Sequence, residues 1–487
     1  MNMASTASTA TVLIYLGANA SPDLEARLAA LCPGTKFVES AVYPERTVDS
    51  SAAAQQGDRV QFDASVARAG GRVGLPTVSD GHDLAVINKV LNDKLIPLLW
   101  TRFGGKFRWR HLNEVKRFEV ACALVKAALS VCRQERPRKV IFAYEPHMVP
   151  MYLFKKVCEA LGVETVTLVV SPFNWRLFVD EVGSSSFALP PPGAPVQAHA
   201  SVARFTDEKR SDYSVAKPFY ENRKIRKGAL GRLLHFGKVN RWAPHRVVPG
   251  WRLRNRYAEL TSPRAAFERK PYVCLFLQFQ PEQTTLPDGG VFAHQLLAIQ
   301  LLHAAIAPLG LALVIREHPA TFEYAFDAKW RPGDFYDTIR GFGPDIHFDE
   351  LSAEPYSLIR SAKAVCAITG TVLLEGLLQG RAAVAFGKHP LKGLKMPAFV
   401  DQFDDEVDLR EKLRLAMTQP QLEVITQAEA YLHRVYPGTF GASEYVGNAN
   451  MTLDLLRQAR NQALCDVVSQ LAQRVDAAKP MERACKS

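Results

Sequence analysis

At 487 residues, 47% hydrophobic and 22% charged, the chain carries enough apolar side chains for two or three full cores, which excludes a disordered polymer or a small disulfide-stapled domain. Its net charge of +11 is local: Ser201 to Arg256 holds 15 Lys and Arg against 4 Asp and Glu, and the rest of the chain balances. Such a segment suits an anionic partner (phosphate, lipid head group, acidic polysaccharide or nucleic acid) or is a solvated basic surface.

The eight cysteines include no Cys-x-x-Cys pair and mostly lie in apolar runs, so the sequence points to a reducing compartment without a disulfide framework or zinc site. The first ten residues lack the basic start of a signal peptide, and no run of about 18 apolar residues exists to span a membrane. A cytoplasmic protein is expected, with an inner-membrane contact through residues 201–256.

In chain order, Thr11–Leu16 reads as a buried strand followed by the loop Gly17-Ala-Asn19. Val90–Trp100 and Leu112–Arg133 have helical spacing, Lys139–Tyr144 is a strand, Met151–Leu161 a helix stopped by Gly162, and Val166–Val170 a strand. This alternation predicts a parallel sheet with crossovers. Four prolines between Phe187 and Pro195 break it, and Pro190 to about Arg264 reads as an inserted basic helical region or linker. A second alternation follows. It runs through strand Tyr272–Leu277, helix Phe292–Ile306, strand Leu311–Ile315, strand Asp345–Phe348, helix Tyr356–Ala362, strand Ala364–Ile368, helix Val372–Leu378 and strand Ala382–Phe386. From Asp404 the pattern is helical to the end. The predicted class is α/β: two facing Rossmann-like domains, with the basic insert between them and helices at the C-terminus. The predicted pieces are a first Rossmann-like domain 1–189, an insert 190–264, a second Rossmann-like domain 265–440 and helices 441–487. Ligands of such sheets lie beyond the carboxyl ends of the strands, so the cleft between the domains is the expected active site.

Four stretches at predicted strand ends carry candidate chemistry. In Ile368-Thr-Gly-Thr-Val-Leu-Leu-Glu-Gly376, the turn Thr369-Gly370-Thr371 opens a helix. Its backbone N–H groups and hydroxyls suit an anion, and Glu375 one turn on suits a ribose hydroxyl; the plainer alternative is a Thr N-cap with a solvated or partly buried Glu. In Arg316-Glu-His-Pro319, Pro319 holds His318 extended, so that its imidazole can bind or protonate a leaving phosphate. Arg316 pairs either with phosphate or with Glu317. Gln280 and Glu282, before Thr284-Thr285, suit sugar hydroxyls or a Pro281 turn. Glu145, in Phe142-Ala-Tyr-Glu-Pro-His147, is the candidate acid/base or nucleophile, or else an acceptor-positioning or helix-capping carboxylate.

Gln280-Pro-Glu282, Thr284-Thr285, Arg316-Glu-His-Pro319, Thr369-Gly-Thr371, Glu375 and Gly380 together resemble the bacterial capsule and surface polysaccharide biosynthesis family. Its members are similar to GT-B transferases that use CMP-activated 3-deoxy-octulosonic acid (Kdo) or sialic acid. The resemblance covers about Pro271 to Gly387. It implies that His318 and Thr369–Thr371 hold the nucleotide phosphate, that the donor is a CMP-sugar substrate, and that neither cofactor nor metal takes part. The sialyltransferase motif of two acids followed by Gly does not occur in that form, so Glu145 is assigned by position. The resulting expectation is a glycosyltransferase moving a sugar onto a glycan or glycolipid acceptor. A UDP-sugar transferase or epimerase is the alternative enzyme. A non-catalytic binder of anionic polymers or membranes is the alternative of another class, and no nucleic-acid motif supports a nucleic-acid partner.

Overall fold

In the computed structural model the described residues are 12–16, 21–39, 59–61, 81–101, 112–181 without 174, 196–213 without 212, 244–322 without 281 and 283–284, 330–442 without 390, 392–393, 395–397 and 401–403, and 444–478 without 446 and 448–449. The loop Gly17–Asn19, the proline run 187–195, Pro281, Thr284 and most of the basic segment lie outside them. The chain forms two units. One comprises Met1–Leu189, Pro437–Ser443 and Leu453–Ser487; the other comprises Pro190–Tyr436 and Glu444–Thr452.

The first unit begins with β1 (Val12–Tyr15), α1 (Pro22–Leu31), β2 (Thr35–Glu39) and β3 (Arg59–Gln61). The start of α1 is set locally: the Ser21 side chain accepts the Leu24 N–H, Pro22 opens the helix, and Asp23 and Glu25 sit in the first turn. Helices α2 (Gly81–Leu91) and α3 (Leu95–Thr101) follow. The sequence pattern joins parts of these into one helix, Val90–Trp100. The break between them comes from Asp93, whose carboxylate accepts the Leu95 N–H and begins α3 anew. Next come α4 (Glu114–Glu135), β4 (Lys139–Phe142), α5 (Val149–Ala160), β5 (Glu164–Val170) and β6 (Arg176–Glu181). After α5, Gly162 takes a φ of 73°, a conformation that favours glycine and turns the chain into β5.

The second unit opens with α6 (Ala200–Arg210), α7 (Pro244–Leu260) and α8 (Arg264–Phe267). It continues through β7 (Tyr272–Phe276), α9 (Gln295–Ile306), β8 (Ala312–Arg316), α10 (Phe335–Arg340), β9 (Ile346–Phe348), α11 (Pro355–Ser361), β10 (Ala364–Ala367), α12 (Val372–Leu378), β11 (Ala382–Ala385) and β12 (Ala398–Phe399). Helices α13 (Glu406–Met417) and α14 (Gln421–Val435) follow, α13 starting from a reciprocal capping box between Asp405 and Asp408. The chain then returns to the first unit with β13 (Phe440–Gly441) and α15 (Leu453–Ala478).

Both sheets reverse direction around their first strand. The first has the order β13-β6-β5-β4-β1-β2-β3, and the second β12-β11-β10-β7-β8-β9. Strands β1 to β5 are mutually parallel, as are β7 to β12, while β6 and β13 add antiparallel pairs at one edge of the first sheet. These are Rossmann-like sheets with topological switch points between β1 and β4 and between β7 and β10. Burial on both faces explains the near-continuous apolar strands. In β7, Val273 and Leu275 join one core with Ile299 and Leu302 of α9 and Leu409 and Leu413 of α13, while Tyr272 and Cys274 join another with Tyr356 and Ile359 of α11. In the first sheet, Ile14, Ile141, Val166 and Leu168 pack on Leu464 and Val468 of α15. The sequence pattern predicts helix over α15 but does not show the sheet it returns to. Among the described residues no helix is long and apolar enough to cross a membrane, and seven cysteines are free thiols.

Candidate functional site

In the second unit, the strand order brings the segments after β7, β8, β10 and β11 to one end of the sheet. Three of them touch directly. The Gln278 side-chain oxygen accepts the Thr369 backbone N–H at 2.8 Å, and its amide nitrogen lies 3.1 Å from the Thr369 hydroxyl. The Lys388 N–H donates to the Asp288 carbonyl at 2.8 Å. A Cβ at Gly387 would stand 2.7 Å from both that carbonyl and the Thr369 methyl, so glycine is what lets the three segments close together. The loop after β7 and the turn after β10 therefore meet at the switch point, where sheets of this kind bind ligands.

The His318 segment joins them through a buried ionic network that the sequence pattern does not reveal. Arg331 and Glu317, whose side chains are 1% and 0% exposed, pair at 2.8 Å. Arg331 also donates to the Gln280 side-chain oxygen at 2.6 Å and the Gln278 carbonyl at 3.2 Å, tying β8's end to the segment after β7. Glu317 further accepts from the Tyr336 hydroxyl at 2.8 Å and from the His318 backbone N–H at 2.7 Å. Burial and the neighbouring Glu317 push the Tyr336 phenol well above its ordinary value, which keeps it a donor. Gln295 completes the network by bonding both backbone groups of Gln278 and the Gln280 side chain. Every buried polar group named here has a partner, which makes the network a rigid brace.

His318 is half-buried, with its ring 6.0 Å from that of Phe279. Its Nδ1 accepts the Ala320 N–H at 3.1 Å, so the neutral ring carries its proton on Nε2. Pro319 opens the 3₁₀ turn Pro319–Phe322, and the Thr321 N–H returns to the His318 carbonyl. A second His-Pro sequence, His389-Pro390, lies after β11. His389 is buried, and its Nδ1 accepts the Leu391 N–H at 3.1 Å. Desolvation pulls its pKa down to about 4, so the ring is neutral at neutral pH.

Several candidate side chains prove to be occupied within the fold. Arg316 pairs with buried Asp349, not Glu317, and donates to the Glu350, Leu351 and Ala353 carbonyls, so it anchors the loop after β9. Gln280 is buried and bonded to Ala293, Gln295 and Arg331. The Thr369 hydroxyl faces Gln278. Glu375 pairs at 2.9 Å with Lys209 of α6, both side chains nearly buried. The lysine comes from the basic segment, 166 residues away in sequence, which is why the pattern gave no hint of it. Thr371 and Glu282 are exposed at the site's surface. Thr371 makes no side-chain cap bond, contrary to the plainer reading of it as a capping residue.

Glu145 belongs to the first unit, just past the carboxyl end of β4 at that sheet's own switch point. It is 8% exposed, and Lys155 of α5 lies 3.7 Å from one carboxylate oxygen. The other oxygen is buried without a hydrogen-bond partner among the described residues. His147 Nδ1 contacts the Glu145 carbonyl at 2.9 Å.

No family model and no curated protein matches the chain. Solved structures give distant likenesses. "Thermosulfurimonas dismutans KpsC, beta Kdo 2,7 transferase" is 12% identical, covering 68% of this chain and 88% of its own, with a TM-score of 0.30. Methanocaldococcus jannaschii UDP-GlcNAc 2-epimerase in complex with UDP-GlcNAc and UDP is 11% identical over 84% and 93%, with a TM-score of 0.26. A structure titled trehalose-6-phosphate from E. coli, bound with UDP-2-fluoro glucose, is 9% identical over 95% and 99%, with a TM-score of 0.34. At such scores the functional assignment rests on this chain's strand order and side chains.

Proposed function

We propose that the protein is a nucleotide-sugar-dependent glycosyltransferase of the GT-B type, with the donor's phosphate bound at the switch point of the second unit. The observation that supports this most is the junction of the His318, Gln278 and Thr369–Thr371 segments at the carboxyl ends of β8, β7 and β10. His318 presents an Nε2–H donor to a phosphate oxygen. Thr371 offers a hydroxyl beside Gly370, and Glu282 lies exposed for a sugar hydroxyl. Thr369, Gln280, Arg316 and Glu375 shape the site from behind.

In the reaction, an acceptor hydroxyl forms the new bond to the anomeric carbon as the bond to the donor phosphate breaks. The electron pair of that bond passes to the phosphate oxygen, which His318 stabilises by a hydrogen bond from its Nε2–H. Glu145 takes the acceptor's proton in this single displacement; in a double displacement its carboxylate instead bonds the anomeric carbon as the phosphate leaves, and the acceptor hydroxyl then displaces the carboxylate. The preferred donor is a CMP-activated acidic sugar such as Kdo, and the acceptor a surface glycan or glycolipid. The basic segment favours such an anionic acceptor, or the inner-membrane surface that carries it, by charge complementarity. Thermal stabilisation and hydrolysis across a panel of CMP- and UDP-sugars test the proposal. Response to CMP-sugars supports it, response to UDP-sugars alone moves it to the UDP-dependent transferases and epimerases, and response to none refutes it.

A further inference from the structure

Gln278 bridges the two strands that flank the second sheet's switch point, and one of its donors is unused. The register pairs Phe276 of β7 with Ala367 of β10, so Gln278 and Thr369 stand level, each two residues past its strand. The Gln278 side chain is held at both ends. At its base, Gln295 bonds the Gln278 backbone N–H and carbonyl, each at 2.9 Å. At its tip, the Thr369 backbone N–H lies 2.8 Å away and can only donate, so the carboxamide atom facing it is Oε1. The other tip atom, Nε2, carries two N–H groups. One is directed at the Thr369 hydroxyl at 3.1 Å. The second lies on the far side of the nitrogen and has no partner among the described residues. Gly370 keeps a side chain off this nitrogen: a Cβ there would stand 3.6 Å from Nε2, in van der Waals contact with it.

We infer that Gln278 is a ligand of the donor phosphate: it clasps Thr369 through Oε1 and gives its unpaired Nε2–H to a phosphate oxygen beside Gly370. The inference rests on the reading of this switch point as a nucleotide site, and it adds a donor on the floor of that site. The amide cannot reverse, because a flip would set Nε2 against the Thr369 N–H. An N–H on a side chain only 8% exposed costs free energy while it lacks an acceptor. A ligand oxygen removes that cost, and the side chain, already fixed, loses little freedom in binding it.

Two variants separate the donor from the clasp. In Gln278→Glu one carboxylate oxygen accepts the Thr369 N–H and the other the Thr369 hydroxyl, so the clasp stays, but no N–H remains and the added charge opposes a phosphate. Gln278→Met is similar in length and has neither clasp nor donor. Calorimetric titration with CMP and with UDP is made on the full-length wild type and both variants, at a temperature where circular dichroism shows them folded, and urea midpoints are measured alongside. We expect both variants to bind the wild type's preferred nucleotide at least about tenfold more weakly, as for loss of a hydrogen bond to a charged group. Only Gln278→Met should lose stability. Wild-type affinity in Gln278→Glu would overturn the inference alone. Weakening in Gln278→Glu with wild-type affinity in Gln278→Met would also overturn it, since the phosphate would then feel a nearby charge and use no N–H. Equal losses of stability and affinity in the two variants would make Gln278 a structural residue only. A wild type that binds neither nucleotide would overturn the nucleotide-site reading and this inference with it.

Discussion

Replacing Arg331 by Met strips the site's brace of its cation. Arg331 and Glu317 are buried essentially completely, and the guanidinium also packs 4.5 Å from the centre of the Phe335 ring. A buried ion pair is often worth no more than an apolar pair of the same shape, but removing one member strands the other charge. In Arg331→Met, Glu317 keeps the Tyr336 hydroxyl, the Thr321 hydroxyl and the His318 N–H but loses its counter-ion, while Gln280 and the Gln278 carbonyl each lose a donor. The expected cost is about 3–5 kcal/mol, on the order of 10 °C in the melting of a unit this size. The assay is urea denaturation with hydrogen exchange followed on peptides covering β8, so that loss of the second unit is distinguished from loss of the first. Adding Glu317→Gln removes the stranded charge while keeping an acceptor for Tyr336. The double variant should therefore recover about 2 kcal/mol relative to the sum of the single changes. A loss under about 1 kcal/mol in Arg331→Met, or strict additivity in the pair, would refute the role given to this network.

Other consequences follow from the same geometry. His318→Ala should lower turnover about 10²–10³-fold, the effect of losing one charge-stabilising donor, with little change in melting temperature because the side chain is half-buried; unchanged turnover removes His318 from the mechanism. Glu145→Gln should abolish transfer while leaving nucleotide affinity intact, and a variant that transfers sugar at the normal rate would show that Glu145 has been misassigned. The buried imidazole of His389 makes stability depend on pH in a definite direction. With a folded pKa of about 4 against an ordinary 6.5, it contributes fully above pH 6.5, and the contribution is lost as pH falls toward 4, to an extent of about 3 kcal/mol. His303, His347 and His433 are shifted the same way, so the measurement is the difference between wild type and His389→Gln in urea midpoints from pH 7 to 4.5. Parallel curves would contradict the burial of a neutral ring.

The strands of both sheets were legible where they are buried on both faces, because such runs are apolar without interruption. Tyr272–Leu277 and Ala364–Ile368 are examples. Short edge strands such as β12 and β13, each two residues long, leave no periodic trace. Glu145, His318 and the Thr369–Thr371 turn were singled out because strand ends are where an α/β sheet places ligands, and each follows the carboxyl end of a strand, β4, β8 and β10 respectively. What each side chain touches was not readable, since partners are set by topology. Glu375 meets Lys209, Arg316 meets Asp349, and Arg331 reaches Glu317 from a stretch with no periodicity of its own. His389 did leave a signal, since it repeats after β11 the His-Pro sequence that drew attention to His318 after β8.

Titrating CMP into the wild type and into His318→Ala by calorimetry is the most direct trial of a phosphate subsite at the second sheet's strand ends. Saturable one-to-one binding that weakens at least about tenfold when the imidazole is removed is the predicted result. Binding that is indifferent to the imidazole would place the nucleotide elsewhere on the chain.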